Sequence, residues 1–315
     1  MDTDQRLDAL VAPLRADVVS GASVIGKMAA EVLRLAAQDA RAVSLEEFRS
    51  ELGEVCGKVL DAQPAMATLV TLVRDVLTSV EACEDLETGR LAAVRTAEAF
   101  GSGLESRAKS VATRASALIP SGATVATISY SSTVLATLTH EGTWAVGQVI
   151  CFESRPVREG ETLATALAEV GVAVTFAVDA AASTLMGECD IVLLGADSIG
   201  DLGVVNKIGS AGLVDAAIRR GVPVMVVSDE TKILPTGFPQ HLTDDRPPEE
   251  VWRAPAGVRV WNQYFESFEL ERVTMVVTES DALTAPEVEK LRKDIVLPTG
   301  LLAWADARAP GPPEV

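Results

Sequence analysis

Histidine and cysteine are scarce in this chain, and so are lysine and long apolar runs. The only histidines among 315 residues are His140 and His241. The four cysteines, Cys56, Cys83, Cys151 and Cys189, form no CxxC pair. A structural zinc site needs closer ligand spacing than this set offers. Cys151 and Cys189 stand in apolar, strand-like surroundings and read as small core residues, and reduced thiols fit the cytoplasm. No metal site and no organic cofactor is expected. No apolar run reaches the length of a bilayer span. Met1 to Asp8 carries three aspartates where a signal peptide would carry an apolar stretch. The expected location is cytoplasmic, without a membrane partner.

Positive charge is also in deficit. Lys and Arg total 27 against 45 Asp and Glu, for a net charge of −18. Such a surface repels phosphate backbones, so no direct nucleic-acid contact is expected. The basic residues are mostly arginine, which fits either a salt-adapted protein or a GC-rich genome. What the chain does have is core material. Hydrophobic residues make up 48 % of it, enough for one large or two medium globular domains.

The texture changes once along the chain. Up to about residue 115 the periodicity is helical. Val24, Ile25, Met28, Val32 and Leu33 share one helical face. Ser44-Leu45-Glu46-Glu47 matches a capping box that opens the next helix. Further helices are expected over 65–81 and 85–114. Beyond Ile119-Pro120-Ser121-Gly122, short apolar strands alternate with helices. Expected strands are Thr124–Ser129, Ala145–Phe152, Val172–Val178, Ile191–Gly195, Val222–Ser228 and Val273–Thr278, with helices over 131–139, 160–170, 181–188 and 210–220. This pattern predicts an α/β protein: an N-terminal helical domain (1–117), a Rossmann-like doubly wound parallel sheet (118–306) and a Pro-rich tail (307–315). The segment 235–260 reads as a loop. In such sheets ligands bind beyond the carboxyl ends of the strands.

Those strand ends carry the chemistry. Ser129, Tyr130 and Ser131 offer hydroxyls and free N–H groups where a helix begins, which suits an anion or serves as an ordinary helix cap. Arg155, just past the second strand and followed by Pro156, either forks onto a phosphate or pairs with Glu153. Asp179, at the tip of the third strand, either orients a ligand hydroxyl or, the preferred reading, caps the following helix. Asp197 leaves an apolar strand into the predicted crevice. Asn206 and Lys207, ahead of Gly209 and a new helix, read as a cationic loop able to hold phosphate. A carboxylate beside such a lysine either forms an Asp–Lys ion pair in a turn or, the reading favoured by its place at a strand terminus, suits acid–base work on a phosphorylated sugar.

Glu153-Ser154-Arg155-Pro156, Gly195-Ala196-Asp197-Ser198-Ile199 and Asn206-Lys207-Ile208-Gly209 resemble, in order and spacing, the signature segments of one superfamily. It contains ribose-1,5-bisphosphate isomerase, methylthioribose-1-phosphate isomerase and the alpha, beta and delta subunits of translation initiation factor 2B. Val227–Lys232, Trp261–Glu266 and Val276–Glu279 resemble its later segments. Arg15–Asp17 through Ser20-Gly21-Ala22 resembles its helical part. The resemblance implies a catalytic Asp197, with substrate contacts from Arg155, Asn206, Lys207 and the Ser20-Gly21-Ala22 loop. It also implies a homodimer or larger oligomer.

Two departures stand out. The isomerases' Thr-His-Cys corresponds to Thr127-Ile128-Ser129, so Ser129 occupies the thiol position. Their arginine-glycine pair becomes Ser20-Gly21, with Lys27 available to replace the charge. A thiol can be tuned to ionise near neutral pH, whereas a serine needs a partner base. Two functions are therefore expected in competition. One is an aldose–ketose isomerase of a phosphorylated pentose of the ribose 1,5-bisphosphate class, with Asp197 as acid–base and Ser129 as a hydrogen-bonding group. The other is a catalytically silent regulatory or sensor subunit that binds a sugar phosphate or nucleotide together with partner proteins.

Overall fold

The computed structural model describes residues 3–17, 21–140, 146–240, 242 and 246–307. The chain divides into two compact units. One runs to Ser106 and takes in the segments beginning at Thr231 and Leu291. The other runs from Arg107 to Glu230 and resumes from Leu242 to Lys290.

The helical unit is built from α1 (Thr3–Ala16), α2 (Ala22–Gln38), α3 (Leu45–Ala62), α4 (Ala67–Glu81) and the first two-thirds of α5 (Leu86–Ser116). Ser44 opens α3 as expected, its Oγ accepting from Glu47 N at 3.2 Å. The Glu47 carboxylate reaches back to Val43 N at 2.9 Å. All residues from Ala67 to Val73 are buried, so α4 is the central helix of this unit.

The buried face of α2 differs from the expected one. Val24 is half exposed, and Gly26, Ala29, Ala30, Ala36 and Ala37 are buried beside Ile25, Val32 and Leu33. Close packing is the reason. A Cβ on Gly26 would lie 2.9 Å from Leu104 Cδ1 and 3.0 Å from Thr68 Cγ2. The face that approaches its neighbours this closely must be lined with small side chains.

The short segment that begins at Thr231 groups with the helical unit, and the chain is back in the sheet unit from Leu242. Leu234 and Phe238 of this segment are buried in the helical core together with Leu301 and Ala305. Phe238 stacks on Trp304, ring centroids 6.0 Å apart. Residues 308–315, the expected tail, and His241 lie outside the described residues.

In the second unit, seven strands form the main sheet. They are β1 (Ala123–Ile128), β2 (Val146–Phe152), β3 (Val174–Ala177), β4 (Ile191–Leu194), β7 (Val224–Val227), β9 (Met275–Val277) and β10 (Ala282–Leu283). The order is β10-β9-β7-β4-β1-β2-β3, all parallel except β10 against β9. Connecting helices are α6 (Ser132–Leu138), α7 (Glu159–Glu169), a broken one around α8 (Ala182–Leu185) and α9 (Ser210–Arg220). Then comes α10 (Ala285–Asp294), which begins in this unit, while α11 (Thr299–Asp306) belongs to the helical unit. β1, β4 and β7 are buried almost throughout, as expected for strands covered on both faces. The chain runs outward through β2 and β3, then returns to lay β4 on the other side of β1. The topological switch point therefore lies between β1 and β4.

A second, three-stranded antiparallel sheet stands outside the expected strands. β5 (Ser198–Gly200) turns back as β6 (Gly203–Lys207), which pairs with β8 (Phe265–Phe268). The stretch read as a cationic loop is thus mostly a buried strand.

Candidate functional site

The ends of β1, β2 and β4 and the turn after β6 converge. Ser129, past β1, holds φ 71° and donates its backbone N–H to Ser154 Oγ at 2.5 Å. Ser154, past β2, is fully buried at φ 65°. Non-glycine residues in this left-handed region cost about 1–3 kcal/mol each and gather at functional sites. A Cβ on Gly195, past β4, would lie 2.8 Å from Ser131 Oγ, so the β4 end abuts the start of α6. Gly209 holds φ 101°, and a Cβ there would lie 2.7 Å from Ile128 Cδ1. Ile128 therefore packs against the turn that follows Lys207.

The expected site residues take these places. Ser129 is half-buried and Tyr130 is 42 % exposed. Ser131 caps α6, its Oγ accepting from Val134 N at 3.3 Å. Asp197 is half-buried between β4 and β5, its N–H donating to Val205 O at 2.9 Å. Arg155 is exposed and donates through Nη2 to Val251 O at 3.0 Å. The Glu153 carboxylate, read as its alternative partner, faces Arg158 at 3.8 Å. Asn206 is 6 % exposed, and its Nδ2 donates to Ser210 Oγ at 3.0 Å. Lys207 is 2 % exposed and donates to Glu159 Oε1 at 2.7 Å. Its Nζ also lies 4.5 Å from the centroid of the Tyr264 ring.

Within the helical unit, Gly21 caps α2, its carbonyl accepting from Val24 and Ile25 N–H. Ala22 is buried, and exposed Lys27 faces Glu105 at 3.4 Å. Ser20 lies outside the described residues.

Three acids do work that the sequence reading missed. Asp179 caps no helix, since Val178 holds that position without a side-chain bond. Its carboxylate instead accepts from the N–H groups of Ser154 and Arg155, both at 2.8 Å, and so shapes the loop past β2. Glu266 on β8 accepts from Gly209 N at 2.7 Å and Ala211 N at 2.8 Å, capping α9 with a carboxylate. Burial holds the Glu266 carboxyl above its ordinary value, against the pull of those two backbone bonds. Two of the N–H groups at the start of α9, those of Gly209 and Ala211, are thus already satisfied. Glu250 accepts from Tyr264 Oη at 2.7 Å and from Asn262 Nδ2 at 2.9 Å, and Arg246 lies over the Tyr264 ring at 4.5 Å.

No cysteine replaces the thiol position. Cys151 lies on β2 beside Thr127 of β1, but it is 1 % exposed and burial pushes its thiol up to about 12. Burial likewise raises Cys56 to about 12 and Cys189 to about 11. Among the described residues no group of three His, Cys, Asp or Glu side chains is placed to hold a metal ion. No described helix is long and apolar enough to cross a membrane.

The chain is similar to known proteins. The ribose 1,5-bisphosphate isomerase of Haloferax volcanii is 32 % identical over 72 % of this chain and 70 % of its own length. That of Archaeoglobus fulgidus is 31 % identical over 86 % and 87 %. Among solved structures, the translation initiation factor eIF-2B of Pyrococcus horikoshii OT3 superposes with a TM-score of 0.75 at 26 % identity. It covers 90 % of this chain and 98 % of that one. Residues 18–285 match the model of the initiation factor 2 subunit family, and the chain belongs to that family.

Proposed function

We propose that this chain binds a phosphorylated pentose at the carboxyl ends of β1, β2 and β4 and isomerises the aldose 1-phosphate to the ketose. The observation that carries the reading is the placement of Asp197. It is a half-buried carboxylate leaving β4, one strand from the strained turn at Ser129. The isomerase relatives supply the substrate class. In this reading Asp197 moves the proton as general acid and base while the ring opens and hydrogen passes from carbon 2 to carbon 1. Ser129 hydrogen-bonds the substrate without ionising. Arg155 and the hydroxyl of Ser131 hold the charged end of the ligand.

A second reading is a regulatory or sensor protein that binds the same ligand without turning it over and acts through an oligomer or partner proteins. The specific observation behind it is the residue pair Ile128 and Ser129, with no accessible thiol or histidine described at the β1 end. In either case the site works without a metal ion or organic cofactor.

The deciding experiment follows ribose 1,5-bisphosphate by proton and phosphorus NMR in the presence of the purified protein, with methylthioribose 1-phosphate in parallel. Formation of a ketose that disappears in Asp197→Asn supports the isomerase. Line broadening without conversion supports the sensor. Neither effect with either ligand overturns the sugar-phosphate reading.

A further inference from the structure

The Lys207 ammonium reaches the site already neutralised. Glu159 Oε1 lies 2.7 Å from its Nζ, and Lys207 is 2 % exposed. The second carboxylate oxygen, Glu159 Oε2, is buried and has no hydrogen-bond partner. A buried acceptor left in this way requires a donor.

Glu159 is held there by the backbone. It is the first residue of α7, and a Cβ on the next residue, Gly160, would lie 1.9 Å from Phe152 O. The start of α7 therefore rests directly on the end of β2. A second orphan belongs to the same cluster. Asn262 is 7 % exposed, and its Nδ2 is committed to Pro247 O and Glu250. Its Oδ1 is buried without a partner. Glu250 in turn bonds Tyr264, whose ring lies against Lys207. The cluster as a whole offers spare acceptors.

We propose that Glu159 is a specificity-determining residue, which makes the Lys207 position take a ligand hydroxyl in place of a phosphate. The proposal rests on the functional reading above, in which the ligand sits at the strand ends that the turn after Lys207 adjoins through Gly209 and Ile128. A fully ionised phosphate brings only acceptors and a second negative charge to a lysine that already carries one anion. A hydroxyl accepts from Lys207 and donates to Glu159 Oε2, which satisfies both groups. The phosphate of the ligand then lies elsewhere, toward Arg155 and Ser131.

The test measures the Kd of inorganic phosphate by calorimetry for the unmodified protein, Glu159→Gln and Glu159→Gln/Lys207→Met. Gln keeps the shape and an acceptor oxygen but removes the charge. Phosphate binding should tighten at least about tenfold in Glu159→Gln, because like-charge juxtaposition is relieved, and the gain should vanish in the double variant. If Glu159→Gln loses its circular dichroism spectrum, Glu159→Ala is measured with the same expectation. Unchanged phosphate affinity, or a gain that survives Lys207→Met, overturns the proposal. Ribose 1,5-bisphosphate turnover by the unmodified protein is scored separately. Turnover with no phosphate gain removes the role of Glu159 and leaves the isomerase. A Lys207-dependent gain without any sugar-phosphate binding does the reverse.

Discussion

The backbone N–H of Ser129 donates to the hydroxyl of Ser154 at 2.5 Å, so the residue past β1 is held by the residue past β2. Ser154 is itself held through its own N–H by Asp179 at 2.8 Å. Three strand ends are thus fastened in series, from β3 to β2 to β1. Two of the fastened residues sit at positive φ, a conformation that persists only where its surroundings impose it.

Ser154→Ala removes the acceptor of the Ser129 N–H inside a fully buried setting. The expected loss of stability is about 1–3 kcal/mol, read as a lowered urea midpoint with an unchanged slope. Ligand affinity should fall with it, since the Ser129 turn is freed. A variant with unaltered midpoint and affinity would show that the bond holds nothing.

Ser129→Cys places a thiol where the isomerase relatives' signature has one. Turnover of ribose 1,5-bisphosphate should rise, and rise further toward pH ~8.5 as the thiolate forms. Asp197→Asn should abolish turnover while leaving the thermal transition in place. Turnover that persists in Asp197→Asn takes this carboxylate out of the mechanism. A Ser129→Cys protein that still binds ligand with no change in rate shows the position to be chemically idle.

Local pattern carried much of this architecture. The apolar runs of β1, β4 and β7 and the Ser44 capping box were legible because each is a contiguous signal. The motif residues past β1, β2 and β4 could be read as one crevice because parallel strands deliver their ends together. The hairpin from Ser198 to Lys207 is not read from the sequence, although only Asp201-Leu202, flanked by the paired Gly200 and Gly203, separates its two strands. The roles of Asp179, Glu266 and Glu159 had no such signal. Their partners lie 25, 57 and 48 residues away. Only the folded sheet brings those carboxylates to the groups they satisfy.

Glu266 predicts a pH dependence of stability. Its folded carboxyl titrates above its ordinary value of 4.5, because burial outweighs the two backbone bonds. The folded state therefore holds this proton more tightly than the unfolded state does. The resulting contribution to stability is present in full below about pH 4.5 and is lost as pH rises through the folded value. Glu279, also raised by burial, acts in the same direction. Glu266→Gln keeps an acceptor for Gly209 and Ala211 and removes the charge. The fall in Tm from pH 5 to pH 7 should be smaller in that variant. An identical Tm profile would mean that Glu266 titrates normally.

Two glycine substitutions should have opposite signs. Gly53 lies inside α3, and a Cβ there meets nothing within 4 Å. Gly53→Ala should therefore stabilise the protein by about 0.5–1 kcal/mol through helix propensity and a less flexible unfolded chain. Gly160 lies inside α7, where propensity alone also favours alanine, yet its Cβ would sit 1.9 Å from the carbonyl oxygen of Phe152. No side chain can move aside there, because the obstacle is backbone, so α7 must shift away from the end of β2. Gly160→Ala should cost about 2–4 kcal/mol by chemical denaturation. The shift carries Glu159 with it, and the pair with Lys207 at 2.7 Å should open. If Gly160→Ala is as stable as Gly53→Ala, α7 does not rest on β2. The backbone placement of Glu159 beside Lys207 then loses its cause.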